Sequence, residues 1–159
     1  MFCEPTPQHA FLAALAGDWT YEGECSMGPD QPWEKNSGKE SGRTLGDLWL
    51  LLEGEVPMQE GAVGKTLFTL GYDVAKQRFT GTFVGSMMSN LWVYDGELDE
   101  SGTKLSLYAD GPCFTTPGET QRYRDTIAMQ PDGSRTLTSE MLNPDGSWTC
   151  FMRSRYTRV

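Results

Sequence analysis

The feature that most constrains this chain is a recurrence: short runs of alternating apolar and polar residues, each ended by turn formers, follow one another along almost its whole length. In the first, Trp19, Tyr21, Gly23 and Cys25 alternate with Thr20, Glu22, Glu24 and Ser26, the period-two separation of a half-buried antiparallel strand. With that run at 18–26, further runs at about 38–46, 48–56, 65–72, 77–85, 90–98, 103–110, 120–129, 135–142 and 147–157 predict ten strands. The connectors contain Asp-Gly at 95–96, 110–111, 132–133 and 145–146, and Asp99 to Gly102, residue types that hairpin turns with positive φ require. Eighteen glycines in 159 residues, against a usual share of roughly 7%, fit many tight turns better than long helices. One short helix is expected, at about 7–16: Thr6 caps it, Pro7 takes its first position, and Gly17 ends an Ala/Leu-rich body. Met27 to Ser37, with Gly28-Pro29-Asp30 and Pro32, has no periodicity and predicts the longest loop. Neighbouring strands should pair antiparallel. A flat ten-stranded meander would expose two edges, whereas closure removes both and encloses an interior. The expected fold is therefore all-β: a closed antiparallel up-and-down barrel of about ten strands, with a short N-terminal helix, as a single domain over residues 1–159. A two-sheet sandwich is the second solution.

Charge and residue counts exclude several functions. The formal net charge is −9, so a polyanion such as nucleic acid is repelled on balance. No apolar run approaches the roughly 20 residues of a membrane helix, and Phe11 to Ala16 is too short and lacks the basic flank of a signal peptide. A cytoplasmic protein without membrane or nucleic-acid partners is expected. Cys3, Cys25, Cys113 and Cys150 are scattered without a CxxC pair, which points to four reduced thiols rather than a zinc site or a redox dithiol. His9 is the only histidine; as a solvent-facing first-turn residue it serves neither a catalytic triad nor a multi-histidine metal centre. No cofactor is expected. Gly64-Lys65-Thr66 ends like a phosphate-binding loop, but Gln59 stands where that motif needs glycine and a strand-like run follows. Glu53 and Glu55 share a strand face as solvated acids, and Arg153, Arg155 and Arg158 balance acidic neighbours rather than bind RNA.

A barrel of this size can enclose a small ligand, so the facing of each side chain matters. If Trp19 and Tyr21 point inward, Leu45 marks the inner face of the next strand and carries Ser41 and Arg43 with it. A buried Arg43 would need a carboxylate or a ligand anion; Glu53, Asp125 and Glu140 lie on strands, and an interior Arg–Glu pair that merely holds register is an equal alternative. Trp92 and Tyr94 share one face, as do Trp148, Cys150 and Met152, and could wall an apolar cavity or simply pack the core. Met87 and Met88 are read as gap fillers. Around 121–127 the pattern does not choose between Tyr123, Asp125 and Ile127 and the set Arg122, Arg124 and Thr126. The leading expectation is a binding module for a small, largely apolar molecule, lined by Trp19, Tyr21, Arg43, Trp92, Arg124, Glu140 and Trp148, with Arg43 or Arg124 holding a polar or charged end. Two others stand beside it. One is an enzyme in which Glu140 or Asp125 beside an arginine moves protons; the other is a filled barrel used for interaction, including a homo-oligomer.

The segments HAFLAALAGDW (9–19), EGECSMGPDQP (22–32), TLGDLW (44–49), TLGYD (69–73), GTFVGSMMS (81–89), LWVYDG (91–96), YRD (123–125) and LTSE (137–140) span nearly the full length. On them the chain resembles the bacterial family known as domain of unknown function 1579. The resemblance implies a lipocalin-like, calycin-type barrel, in which Gly17-Asp18-Trp19 after a short helix is similar to the G-x-W start of such barrels. It implies no activity. The histidine through which nitrobindin-like calycins hold haem has no counterpart in the strands of this chain.

Overall fold

In the computed structural model, which describes residues 2–159, the alternation in the first strand becomes a burial pattern. Trp19 and Tyr21 are buried while Asp18, Thr20 and Glu22 are exposed. The elements are α1 (Pro7–Ala13), β1 (Gly17–Cys25), β2 (Glu34–Leu45), β3 (Trp49–Pro57), β4 (Val63–Asp73), β5 (Arg78–Gly85), β6 (Trp92–Leu98), β7 (Lys104–Pro112), β8 (Thr120–Met129), β9 (Arg135–Leu142) and β10 (Trp148–Arg158), with a single 3-10 turn at Gln59–Gly61. Each strand pairs antiparallel with its sequence neighbours, and β1 also pairs with β10, so the sheet closes into a ten-stranded barrel. The closed up-and-down barrel with one short N-terminal helix is thus borne out, and the sandwich is not formed. Closure satisfies the edge hydrogen bonds that an open meander would leave exposed.

α1 starts where the sequence places it and ends three residues earlier than expected. Thr6 is its N-cap and Pro7 opens it. His9 corrects the sequence reading: it is buried, not solvent-facing. Its Nδ1 accepts the Thr6 backbone N–H at 3.0 Å, and its ring meets Tyr72 edge-on at 5.8 Å. Replacing His9 with alanine should cost about 1 kcal/mol, the usual scale for a lost cap, measurable as a lowered urea midpoint at unchanged slope.

Three further expectations change. The stretch 27–37 is a shorter loop than predicted, because β2 already begins at Glu34; its polar residues are extended by pairing with β1, not by an apolar face. The facing of β2 is reversed. Trp19 lies opposite Glu40 and Tyr21 opposite Gly38, and opposed residues share a face, so Gly38, Glu40 and Gly42 point inward while Ser41, Arg43 and Leu45 point out. Leu45 misled because it stands at the strand end, 58% exposed. Finally, Asp95-Gly96 and Asp110-Gly111 are not turns but lie inside β6 and β7. Their glycines make room instead: a Cβ on Gly111 would sit 2.2 Å from the Trp92 ring.

Candidate functional site

The two ends of the barrel are built differently. α1 and the turn after it place Phe11, Leu12 and Leu15 against one end, where all three are buried. Trp19 extends this plug: its Nε1 donates to the Leu15 carbonyl at 2.9 Å. Arg158 caps the carbonyls that the helix leaves free, donating to Ala14 O at 2.5 Å and Ala16 O at 2.8 Å, with its guanidinium 4.1 Å from the Trp19 ring.

The other end holds a cavity of about 420 Å³. Phe68, Phe83, Trp92, Tyr123, Leu137 and Phe151 supply apolar wall. The aromatics brace one another: Phe68 stacks on Tyr94 at 5.9 Å, and Trp92 meets Tyr123 edge-on at 5.1 Å. Met27, Met87, Met88 and Phe114 line the cavity and are also exposed, so they form its mouth opposite α1. The two adjacent methionines are therefore rim residues with a solvent face, and the Met88 sulfur accepts the Trp92 indole N–H at 3.3 Å.

The deeper wall is polar, and its charge is acidic. Asp125, on β8, is half-buried where it lines the cavity; the Tyr94 hydroxyl donates to its Oδ2 at 2.5 Å, and Ser139 stands directly across the β8–β9 ladder. Burial pushes the Asp125 carboxyl up, with hydrogen bonds from Ser139 and Tyr94 opposing; burial and the facing carboxylate push the Tyr94 phenol well above its ordinary value. Glu40, from β2, forms a buried ion pair with Arg135 at the start of β9. The guanidinium lies 3.9 Å from the Tyr156 ring centre and 4.8 Å from that of Trp19. Burial raises Glu40 while Arg135 pulls it back. The phenols of Tyr21 and Tyr156, facing Glu40, are raised by burial as well.

Of the seven residues expected to line a ligand site, Tyr21 and Trp92 line the cavity. Trp19 faces inward as expected but belongs to the plug. Arg43 corrects the sequence reading: its side chain is 62% exposed and reaches only the exposed Glu53, at 4.0 Å. Arg124 and Glu140 do pair, at 2.6 Å, and Trp148 stacks on Arg124 at 4.3 Å, but all three sit on the outer face. The cause is the choice β8 makes: Tyr123, Asp125 and Ile127 fill the interior, so Arg124 points out and Glu140, its direct partner across the ladder, points out too. Trp148 does not share the facing of Met152 because a bulge falls between Cys150 and Met152. An inward carboxylate beside an arginine does exist, as Glu40–Arg135, and neither residue was singled out from the sequence. The signal was present: Arg135 is two residues from Leu137 and four from Ser139 on one strand, and Glu40 sits between two glycines opposite the large side chains of β1.

Among the described residues no helix is long and apolar enough to cross a membrane. Comparison with known proteins adds fold and family. The crystal structure of Rv2717c from M. tuberculosis superposes with a TM-score of 0.65 at 14% sequence identity, covering 98% of this chain and 99% of that one; so distant a likeness shows the shared barrel and nothing finer. No curated protein matches. Residues 4–158 match the family described as "Protein of unknown function (DUF1579)", and the chain belongs to that family.

Proposed function

We propose that this protein binds one small, largely apolar molecule inside its barrel, with the polar end of that molecule placed against the deep wall. The cavity carries this reading. Its 420 Å³ exceed the roughly 300 Å³ at the low end of ligand pockets, and a barrel filled by its own side chains would leave less. Aromatic and methionine side chains give a wall that accepts apolar shapes with little directional demand. Arg43 and Arg124 face outward, so the groups of the wall that would meet a polar end are Asp125, Tyr94, Ser139 and Glu40.

Trp92 provides the readout. Stripped of co-purifying lipid and titrated with a neutral probe such as 1-octanol or Nile red, the protein should show saturable quenching of tryptophan fluorescence. Ala109, buried on the wall, offers a blocking substitution. Ala109→Phe should reduce probe affinity at least about tenfold and cost about 1–3 kcal/mol of stability by overpacking. Unsaturable signal in the wild type, or undiminished binding in a folded Ala109→Phe, would refute the reading.

A further inference from the structure

We infer that the molecule this cavity selects is an organic cation, an amphipathic ammonium whose charged head pairs with Asp125. This rests on the reading of the barrel as a ligand site and gives the ligand its chemical class.

The lining of the cavity contains two carboxyl groups, Asp125 and Glu40, and no Lys, Arg or His. Glu40 has its counter-ion in Arg135, buried beside it. Asp125 has none. The groups that meet it are neutral: Tyr94 from β6, Ser139 from β9, and Leu107 opposite it on β7. The nearest guanidinium by sequence, Arg124, points outward to Glu140. A buried carboxylate without a cation is expensive, and its isolation is relieved either by taking a proton or by acquiring a positive partner. Here the space beside it is open to a ligand rather than filled with protein.

The rest of the wall suits the same head group. Phe68, Tyr94, Trp92 and Tyr123 present aromatic rings around the cavity, and ring faces attract ammonium groups, most strongly where water is excluded. The Tyr94 hydroxyl is already committed as donor to Asp125. A carboxylic acid is the wrong ligand for such a wall. Its anion would lie near Asp125 and Glu40, and the one interior guanidinium is already engaged. Fatty acids, which an apolar barrel suggests at first sight, are therefore disfavoured at neutral pH relative to amines of equal length.

Binding of an ammonium also has a proton signature. Burial raises the Asp125 carboxyl in the empty cavity, whereas an ammonium favours the carboxylate, so a protonated Asp125 gives up its proton when the complex forms. Amine affinity should climb with pH until Asp125 is ionised in the free protein, then level. Tyr21, Tyr94, Tyr123 and Tyr156, which also face the cavity, have phenols raised by burial and stay neutral; Glu40 is raised by burial and pulled back by Arg135, so its titration runs in the same direction, and Asp125→Asn separates the two.

The test uses three probes with one tail: octylamine, 1-octanol and octanoate, titrated into the purified full chain by calorimetry and tryptophan fluorescence between about pH 5 and 8, where the amine remains charged. Octylamine should bind at least about tenfold more tightly than 1-octanol at the upper end, with octanoate weakest. Calorimetry in buffers of different ionisation enthalpy should show proton release for the amine and none for the alcohol. Asp125→Asn should bring octylamine down to the level at which the same variant binds 1-octanol, with a cooperative urea transition reporting that it is folded; Tyr94→Phe, which keeps the carboxylate, should retain the amine preference. Equal or tighter binding of 1-octanol or octanoate by the wild type, or a preference for the amine that survives in Asp125→Asn, overturns the inference and leaves the barrel a ligand site. Failure of all three probes to bind overturns the reading of the barrel itself. Should Asp125→Asn not fold, the wild-type probe order, pH profile and proton count decide alone.

Discussion

Arg135→Met lowers the free energy of unfolding by about 3–5 kcal/mol at neutral pH, the scale for breaking a buried ion pair from one side. The arginine and Glu40 side chains are 1% and 5% exposed, so Met removes the buried counter-ion of a carboxylate that has little solvent around it. The loss depends on pH in a definite direction. Without Arg135 nothing opposes the rise that burial imposes on Glu40, so its folded-state value moves further above the unfolded one. The charged form is then the costly one: the penalty is fully present above the raised folded-state value and fades as pH falls towards the unfolded value, because the protonated acid is buried more cheaply. Urea unfolding of the variant at several pH values should therefore show a smaller deficit in acid, and adding Glu40→Gln should restore much of the stability at neutral pH. A deficit that is flat with pH and untouched by the second substitution would mean that lost packing against Trp19 and Tyr156, not charge, sets the cost.

Trp19→Ala should be comparably severe, about 3–5 kcal/mol. Trp19 is wholly buried. Its ring lies beneath Arg158 and against Arg135, and its indole N–H ties the barrel to the carbonyl of Leu15. Removing it opens a hole at the plug and leaves that carbonyl without its side-chain partner. The expected readout is a lowered midpoint in chemical unfolding with early loss of protection in amide exchange around α1. The more conservative Trp19→Phe, which keeps most of the apolar volume but not the donor, should cost less; equal costs for the two would shift the weight from packing to the hydrogen bond.

Strand number, order and closure were legible in the sequence because each strand carries its own local signature, and edge avoidance leaves few ways to arrange ten of them. Facing was legible only where apolar residues segregate. In β1, Trp19 and Tyr21 announce the inner face; in β6, Trp92 and Tyr94 do the same, and both lie where expected. β2 has no apolar residue before Leu45, and its inner face is marked instead by glycines. A Cβ on Gly38 would lie 2.6 Å from the Tyr21 hydroxyl. Such absences are set by a neighbour across the sheet and cannot be read from one strand. β8 failed for the opposite reason: both faces carry polar residues, and Asp125 turns inward because Tyr94, from another strand, supplies a hydrogen bond there. The sequence thus indicated a cavity with aromatic walls and placed Tyr21 and Trp92 on it, but attached its polar groups to the wrong side chains. Pairing of polar residues across a barrel is a long-range property. Glu40 and Arg135 are far apart in the chain, and neither has a local pattern that names the other.

The seam between β1 and β10 joins Trp19 to Arg158 and Cys25 to Met152. It is the contact of greatest sequence separation in the sheet, and a ribosome delivers β10 after the other nine strands. Until then β1 and β9 each present an unpaired edge of the kind that recruits other chains into aggregates, and formation of the seam carries the entropic delay of closing a loop that contains nearly the whole barrel. Ribosome-stalled chains lacking β10 should therefore depend on chaperones far more than the released product does.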